Sequence, residues 1–272
     1  MLKTIKLAVA ILTIGTMYNC KGKDGGTGPA GADGNSSVLK GTTIGSLQFR
    51  DEFGTPFGTD FSGVKLTLLG SSPEVTVQTD SKGYYAFENV PVGNYDLLIK
   101  KEGFPDHIRQ SFIIFQGPKP LRYNSFLIQQ KSNTVLSDLV AITNETEYMK
   151  ELKFKVKVSP KMPEGMFRKV LFVYSNSPNV SINDLYFESN YKPITSLQTI
   201  QTSGDSAVVS FNSYNGGPYF DYYNDILESG KKVYCRAYAI ATYDDYYTNA
   251  DNKRVYPTLS SSISNVASAV VK

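Results

Sequence analysis

The chain has 272 residues, with 28 Lys and Arg against 25 Asp and Glu, one histidine, two cysteines and no tryptophan. This balance gives no basic stripe for nucleic acid, and the histidine and cysteine counts exclude His-cluster and Cys-rich zinc sites. Any Ser-His-Asp or Cys-His mechanism would have to recruit His107, which lies in Asp106-His107-Ile108-Arg109 and reads as a surface or loop residue.

Lys3 and Lys6 precede the apolar run Leu7–Ile14, and Cys20 opens a glycine-rich stretch. That order reads as a secretory signal whose cleavage leaves Cys20 at the mature N-terminus. The run is about half of the roughly 20 residues a membrane-crossing helix needs. Met17-Tyr18-Asn19-Cys20 resembles a bacterial lipobox, departing from it at Met17 and Asn19, where Leu and a small residue are usual. The resemblance implies a signal peptide over 1–19, fatty acylation of Cys20 (palmitate or a related chain) and a membrane partner reached through that lipid. Several acyl chains anchor durably where one binds only marginally. A plain secretory signal with an incidental cysteine is the alternative. Lys21 is not the aspartate that retains enterobacterial lipoproteins in the inner membrane, so the outer membrane or cell surface is the expected destination. With Cys20 consumed, Cys235 is alone and no internal disulfide forms.

Residues 20–37 carry glycine at 22, 25, 28, 31 and 34. This is the collagen register, but four triplets with one proline are too few for a triple helix by themselves. A flexible stalk fits, holding the first folded domain roughly 20 Å from the membrane at ~5–6 Å times the root of its length. A trimerising stalk is the sharper reading.

From 38 to 131 the pattern becomes short alternating strands between turn residues. Val64, Leu66 and Leu68 share one face, Glu74–Gln78 comes next, and Asp80-Ser81-Lys82-Gly83 is a turn in which Asp caps and Gly accepts positive φ. Tyr85 and Phe87, then Tyr95, Leu97 and Ile99, form inward rows; Phe112–Phe115 and Phe126–Ile128 close a seven-strand antiparallel sandwich. The series Asp80, Gly83, Tyr85, Phe87, Val90, Pro91, Gly93, Tyr95, Leu97, with Gly103-Phe104 after it, resembles the carboxypeptidase regulatory-like (transthyretin-like) domain. The resemblance implies an accessory prealbumin-like β-sandwich without catalytic residues.

The segment 132–272 reads as a second, immunoglobulin-like β-sandwich, making the chain all-β. Leu152–Val158 alternates with a lysine face, and Val170–Tyr174 and Ala207–Phe211 are further strands. Leu227-x-x-Gly230 through Ala239 resembles the penultimate strand of fibronectin type III-like domains, with Val233 in place of the usual corner tyrosine. Ile263–Val266 leads into the closing strand. Val233, Cys235, Ala237 and Ala239 share a face, so Cys235 reads as a buried small hydrophobe.

No catalytic residue, metal site or cofactor motif stands out. Asp221, Asp225, Asp244 and Asp245 offer oxygen ligands, but their spacing fits no calcium-loop motif. The glycines of the stalk come after no strand and open no helix, so they form no phosphate loop. The candidate binding surface is aromatic: Tyr219, Tyr222 and Tyr223 before the penultimate strand, and Tyr243, Tyr246 and Tyr247 after it. Tyrosine supplies broad contact area with a polar tip, although such residues also simply pack over strand ends. The expectation is a non-catalytic, lipid-anchored envelope protein that presents two sandwiches to a protein or glycan ligand. A glycan- or nutrient-binding accessory lipoprotein is the alternative.

Overall fold

Alternating inward rows become two packed pairs of sheets in the computed structural model, which describes residues 38–147, 149–185, 195–214, 227–243 and 246–271. Within these residues the regular structure is β-strand, apart from one turn of 3-10 helix. The expected all-β sandwich class is therefore what the chain adopts. Cys20 and the glycine-register segment lie outside the described residues, and Val38–Lys272 clusters as one unit.

The first sandwich contains β1 (Lys40–Arg50), β2 (Lys65–Leu69), β3 (Val75–Gln78), β4 (Tyr84–Pro91), β5 (Gly93–Lys100), β6 (His107–Ile114), β7 (Leu121–Arg122) and β8 (Phe126–Gln129). One sheet runs β3-β2-β5-β6; in the other, β1 pairs with β4, β7 and β8. Val64, Leu66, Leu68, Tyr85, Phe87, Leu97 and Ile99 are buried as their alternation predicts, joined by Phe112, Ile114 and Ile128. The Asp80 turn also forms as expected. Asp80 Oδ1 accepts from the Lys82 and Tyr84 amides, and Gly83 sits at φ +80°.

Two features depart from the expectation. The segment Lys40–Arg50 is a full strand although its inward positions begin Gly41, Thr43, Gly45. Glycine is needed there because neighbours come close. A Cβ at Gly41 would lie 2.2 Å from the Phe115 carbonyl oxygen, and one at Gly45 2.3 Å from the Tyr85 hydroxyl. The sandwich is also not wholly antiparallel, nor seven-stranded: it has eight strand segments, and β7 and β8 run parallel to β1. The chain reaches them by crossing from β6 through Gly117-Pro118-Lys119-Pro120, so a crossover rather than a hairpin sets their direction.

The second sandwich packs β9 (Val135–Glu145), β10 (Met149–Ser159) and β13 (Ser206–Tyr214) against β11 (Arg168–Ser175), β12 (Thr195–Thr202), β14 (Lys232–Ile240) and β17 (Ala267–Val270). Its inner core joins Leu152, Phe154, Val156, Phe172 and Phe211 to Val233, Cys235, Ala237 and Ala239. The expected packing role of Cys235 is met. Its thiol is pushed well up by burial, which disfavours the nucleophilic thiolate. The outer face of β11 and β14 is covered as well. Leu171, Val173, Tyr238 and Ile240 pack under Val180, Leu185, Tyr256 and Ile182, the last in the 3-10 turn Ile182–Asp184. The uninterrupted apolar run Val170–Tyr174 is the sequence mark of a strand buried on both faces. A short hairpin, β15 (Tyr247–Thr248) with β16 (Arg254–Val255), completes the unit.

Candidate functional site

The two sandwiches meet through polar groups that bond across the junction. The turn after β1 presents Glu52, whose carboxylate accepts from Ser132 Oγ at 3.1 Å and from the Asn133 amide at 2.7 Å. The Glu52 carbonyl accepts from both the amide and the hydroxyl of Thr242. The Gln110 side-chain amide, on β6, pairs with the backbone of Thr248 in both directions. Arg168 is 2% exposed and donates from Nη2 to the Pro160 carbonyl. Burial lowers its pKa, and the negative charge of Glu52 opposes that effect.

Beside this junction lies an open cleft of about 470 Å³. Its floor is Ile99 and Ile128, from the core of the first sandwich. One wall comes from β6, where His107, Ile108 and Arg109 line the cleft and a bulge around Ser111 (φ +60°) changes the register before Phe112 enters the core. The other wall is the Tyr123–Gln129 segment. Tyr123 stacks on Phe112 at 4.5 Å and its hydroxyl accepts from the Ile113 amide. Phe126 lies against Tyr85, Phe112 and Tyr123. The Arg109 guanidinium stands over the Phe126 ring at 5.6 Å, a cation–π geometry that holds it at the cleft. Tyr243, from the second sandwich, forms the lip. It is 43% exposed, and its ring edge lies over Gly54.

His107 corrects the expectation of a surface or loop residue. It is 5% exposed and starts β6 opposite Ile99. The loop expected there ends at Asp106, one residue earlier, and β6 turns the ring into the sandwich edge.

Of the aromatic candidates, Tyr243 reaches the cleft. Tyr246 instead packs against Tyr256 and beneath Arg254, and Tyr247 pairs with Val255 in the hairpin. Tyr219, Tyr222 and Tyr223 lie outside the described residues, as do Asp221, Asp225, Asp244 and Asp245. Among the described residues no three His, Cys, Asp or Glu side chains group as a metal site. No helix among them is long and apolar enough to cross a membrane. Sequence reasoning missed Arg109, Tyr123, Phe126 and Gln129 as neighbours of one cleft. Their spacing has no motif, and only the β6 bulge and the crossover bring them together.

No family model matches the chain, and no curated protein does. Solved structures similar to it include a DUF3823 family protein from Bacteroides uniformis (16% identity, 86% of this chain and 100% of that one, TM-score 0.28). A Bacteroides uniformis protein provisionally described as carbohydrate-binding is similar at 15% identity (85% and 99%, TM-score 0.26). A further DUF3823 family protein, from Bacteroides ovatus, is similar at 9% identity (86% and 100%, TM-score 0.26). At these values function rests on the chain's own residues.

Proposed function

We propose that the chain is a non-catalytic, lipid-anchored envelope protein that presents its two β-sandwiches for binding, with the junction cleft as the contact surface. The observation that carries the binding reading is that both sandwiches build one cleft. Its floor and walls come from the first, its exposed tyrosine lip from the second, and hydrogen bonds through Glu52, Gln110 and Gln129 hold the two parts in register. A pre-organised site of this kind spends little ordering entropy on binding.

The two-sheet architecture of each unit is compatible with the domain resemblances. The carboxypeptidase regulatory-like resemblance rests on the Asp80–Leu97 series and the fibronectin type III-like one on Leu227–Ala239, each in a unit of two packed sheets. The anchor rests on the Lys3, Lys6, Leu7–Ile14 and Cys20 pattern. In this reading residues 20–37 form the stalk, and the destination is the outer membrane or cell surface. Retention of the full chain on immobilised polysaccharides and matrix proteins, compared with a Tyr243→Ala variant, tests the cleft. Membrane partition of Cys20→Ala tests the anchor.

A further inference from the structure

The cleft combines three chemistries, and among the described residues that line it none carries a carboxylate side chain. Arg109 supplies the one fixed positive charge, and among the described residues no hydrogen bond or ion pair engages its guanidinium. A planar guanidinium with open donors matches a carboxylate in two-point geometry. Tyr243 presents an exposed ring at the lip, a surface for the apolar face of a ligand ring. Asn124 and Ser125, both exposed on the rim, add uncharged donors and acceptors suited to hydroxyl groups. The volume of about 470 Å³ falls within the roughly 300–1,000 Å³ of small-ligand sites. The cleft is also open to solvent.

From this set we infer that the cleft binds an acidic saccharide, a sugar ring bearing a carboxylate. Arg109 takes the carboxylate, Tyr243 covers the ring, and Asn124 and Ser125 meet hydroxyls. The inference rests on the reading of this cleft as the contact surface, and it adds the ligand class. Neutral sugars lack the partner for Arg109, and simple carboxylates lack the ring.

Calorimetry on the full chain in detergent, with digalacturonate, its dimethyl ester, acetate and a short peptide with a free C-terminal carboxylate, separates these chemistries. The expected result is binding of digalacturonate, with the ester weaker by roughly tenfold or more, as loss of a charge-assisted hydrogen bond implies. Arg109→Gln should weaken the acid by roughly tenfold or more and the ester much less, so that the preference for the acid is lost. Tyr243→Ala should weaken both. Equal binding of acid and ester, binding of the peptide or acetate alone, or no saccharide binding would overturn the inference. If acid and ester bind equally and Tyr243→Ala abolishes both, charge selection fails and the cleft reading stands. If saccharide binding survives Arg109→Gln and Tyr243→Ala together, the cleft reading fails with it.

Discussion

Gln129 and Tyr243 belong to different sandwiches and share a hydrogen bond: Gln129 Oε1 accepts from the Tyr243 amide at 3.0 Å, while Gln129 Nε2 donates to the Asp51 carbonyl at 2.8 Å. Gln129 is 3% exposed, and both bonds are partly buried. Removing the side chain leaves the Tyr243 amide without its partner, while the Asp51 carbonyl keeps the Gly54 amide. Gln129→Ala is therefore expected to cost about 1–3 kcal/mol, or about 2–4 °C in Tm per kcal/mol for a protein of this size. Calorimetric unfolding measures it. A second, resolved transition in the variant would show that this residue couples the two sandwiches.

Tyr85 and Gly45 make a second informative pair. The Tyr85 hydroxyl is buried without a hydrogen-bond partner among the described residues, and burial pushes its pKa up. Tyr85→Phe should leave stability unchanged or raise it by up to ~1 kcal/mol, since no bond is lost. Gly45→Ala should cost about 1–3 kcal/mol by overpacking against that ring, and the added substitution Tyr85→Leu should recover part of the loss. No such rescue is expected for Gly41→Ala, whose clash is with backbone at Phe115. Chemical denaturation of the single and double variants decides both points.

Cys235 sets a pH dependence. Its folded pKa is raised, so the native state keeps the proton while the unfolded thiol loses it near pH 8.5. Its contribution to stability is fully present below about pH 8.5 and declines as pH rises above that value. Tyr85 acts in the same direction above about pH 10. In a Cys20→Ala background, Tm should fall between pH 8.5 and 10, and Cys235→Ala should flatten that fall. Thiol labelling of the same protein should proceed at the rate of unfolding, because Cys235 is wholly buried.

Cys20 is expected to carry the protein to the membrane. Wild type grown with labelled palmitate should incorporate label and partition into detergent, and Cys20→Ala should do neither and be found in the soluble fraction. Intact-cell proteolysis of wild type then separates an outward-facing protein, which is cut, from a periplasmic one, which is protected. Membrane retention of Cys20→Ala would remove the anchor from the account.

The strands were legible where alternation is strong. Val64-Leu66-Leu68, Tyr85-Phe87 and Val233-Cys235-Ala237 bury as read. Strand β1 was not, because its inward glycines carry no hydrophobic signal; the neighbours that demand them lie 40 residues or more away in sequence, at Tyr85 and Phe115. The burial of His107 depends on where β6 begins, which a turn-rich segment leaves undetermined by local pattern. Tyr243 was legible as a candidate from composition, but its separation from Tyr246 was not. That depends on Gln129 holding one and on Arg254 and Tyr256 packing the other. The cleft itself is a product of the crossover after β6 and the inter-sandwich hydrogen bonds, both long-range.

Binding at the junction cleft is tested by retention of the full chain on a panel of immobilised polysaccharides and matrix proteins, with Tyr243→Ala and Tyr246→Ala run beside wild type. The Tyr243 side chain forms the lip and lies over Gly54, while its backbone amide makes the bond to Gln129, so the variant keeps that bond. Whatever surface retains wild type should release Tyr243→Ala and keep Tyr246→Ala. Undiminished retention of a folded Tyr243→Ala variant on every surface that binds wild type would contradict binding at the cleft.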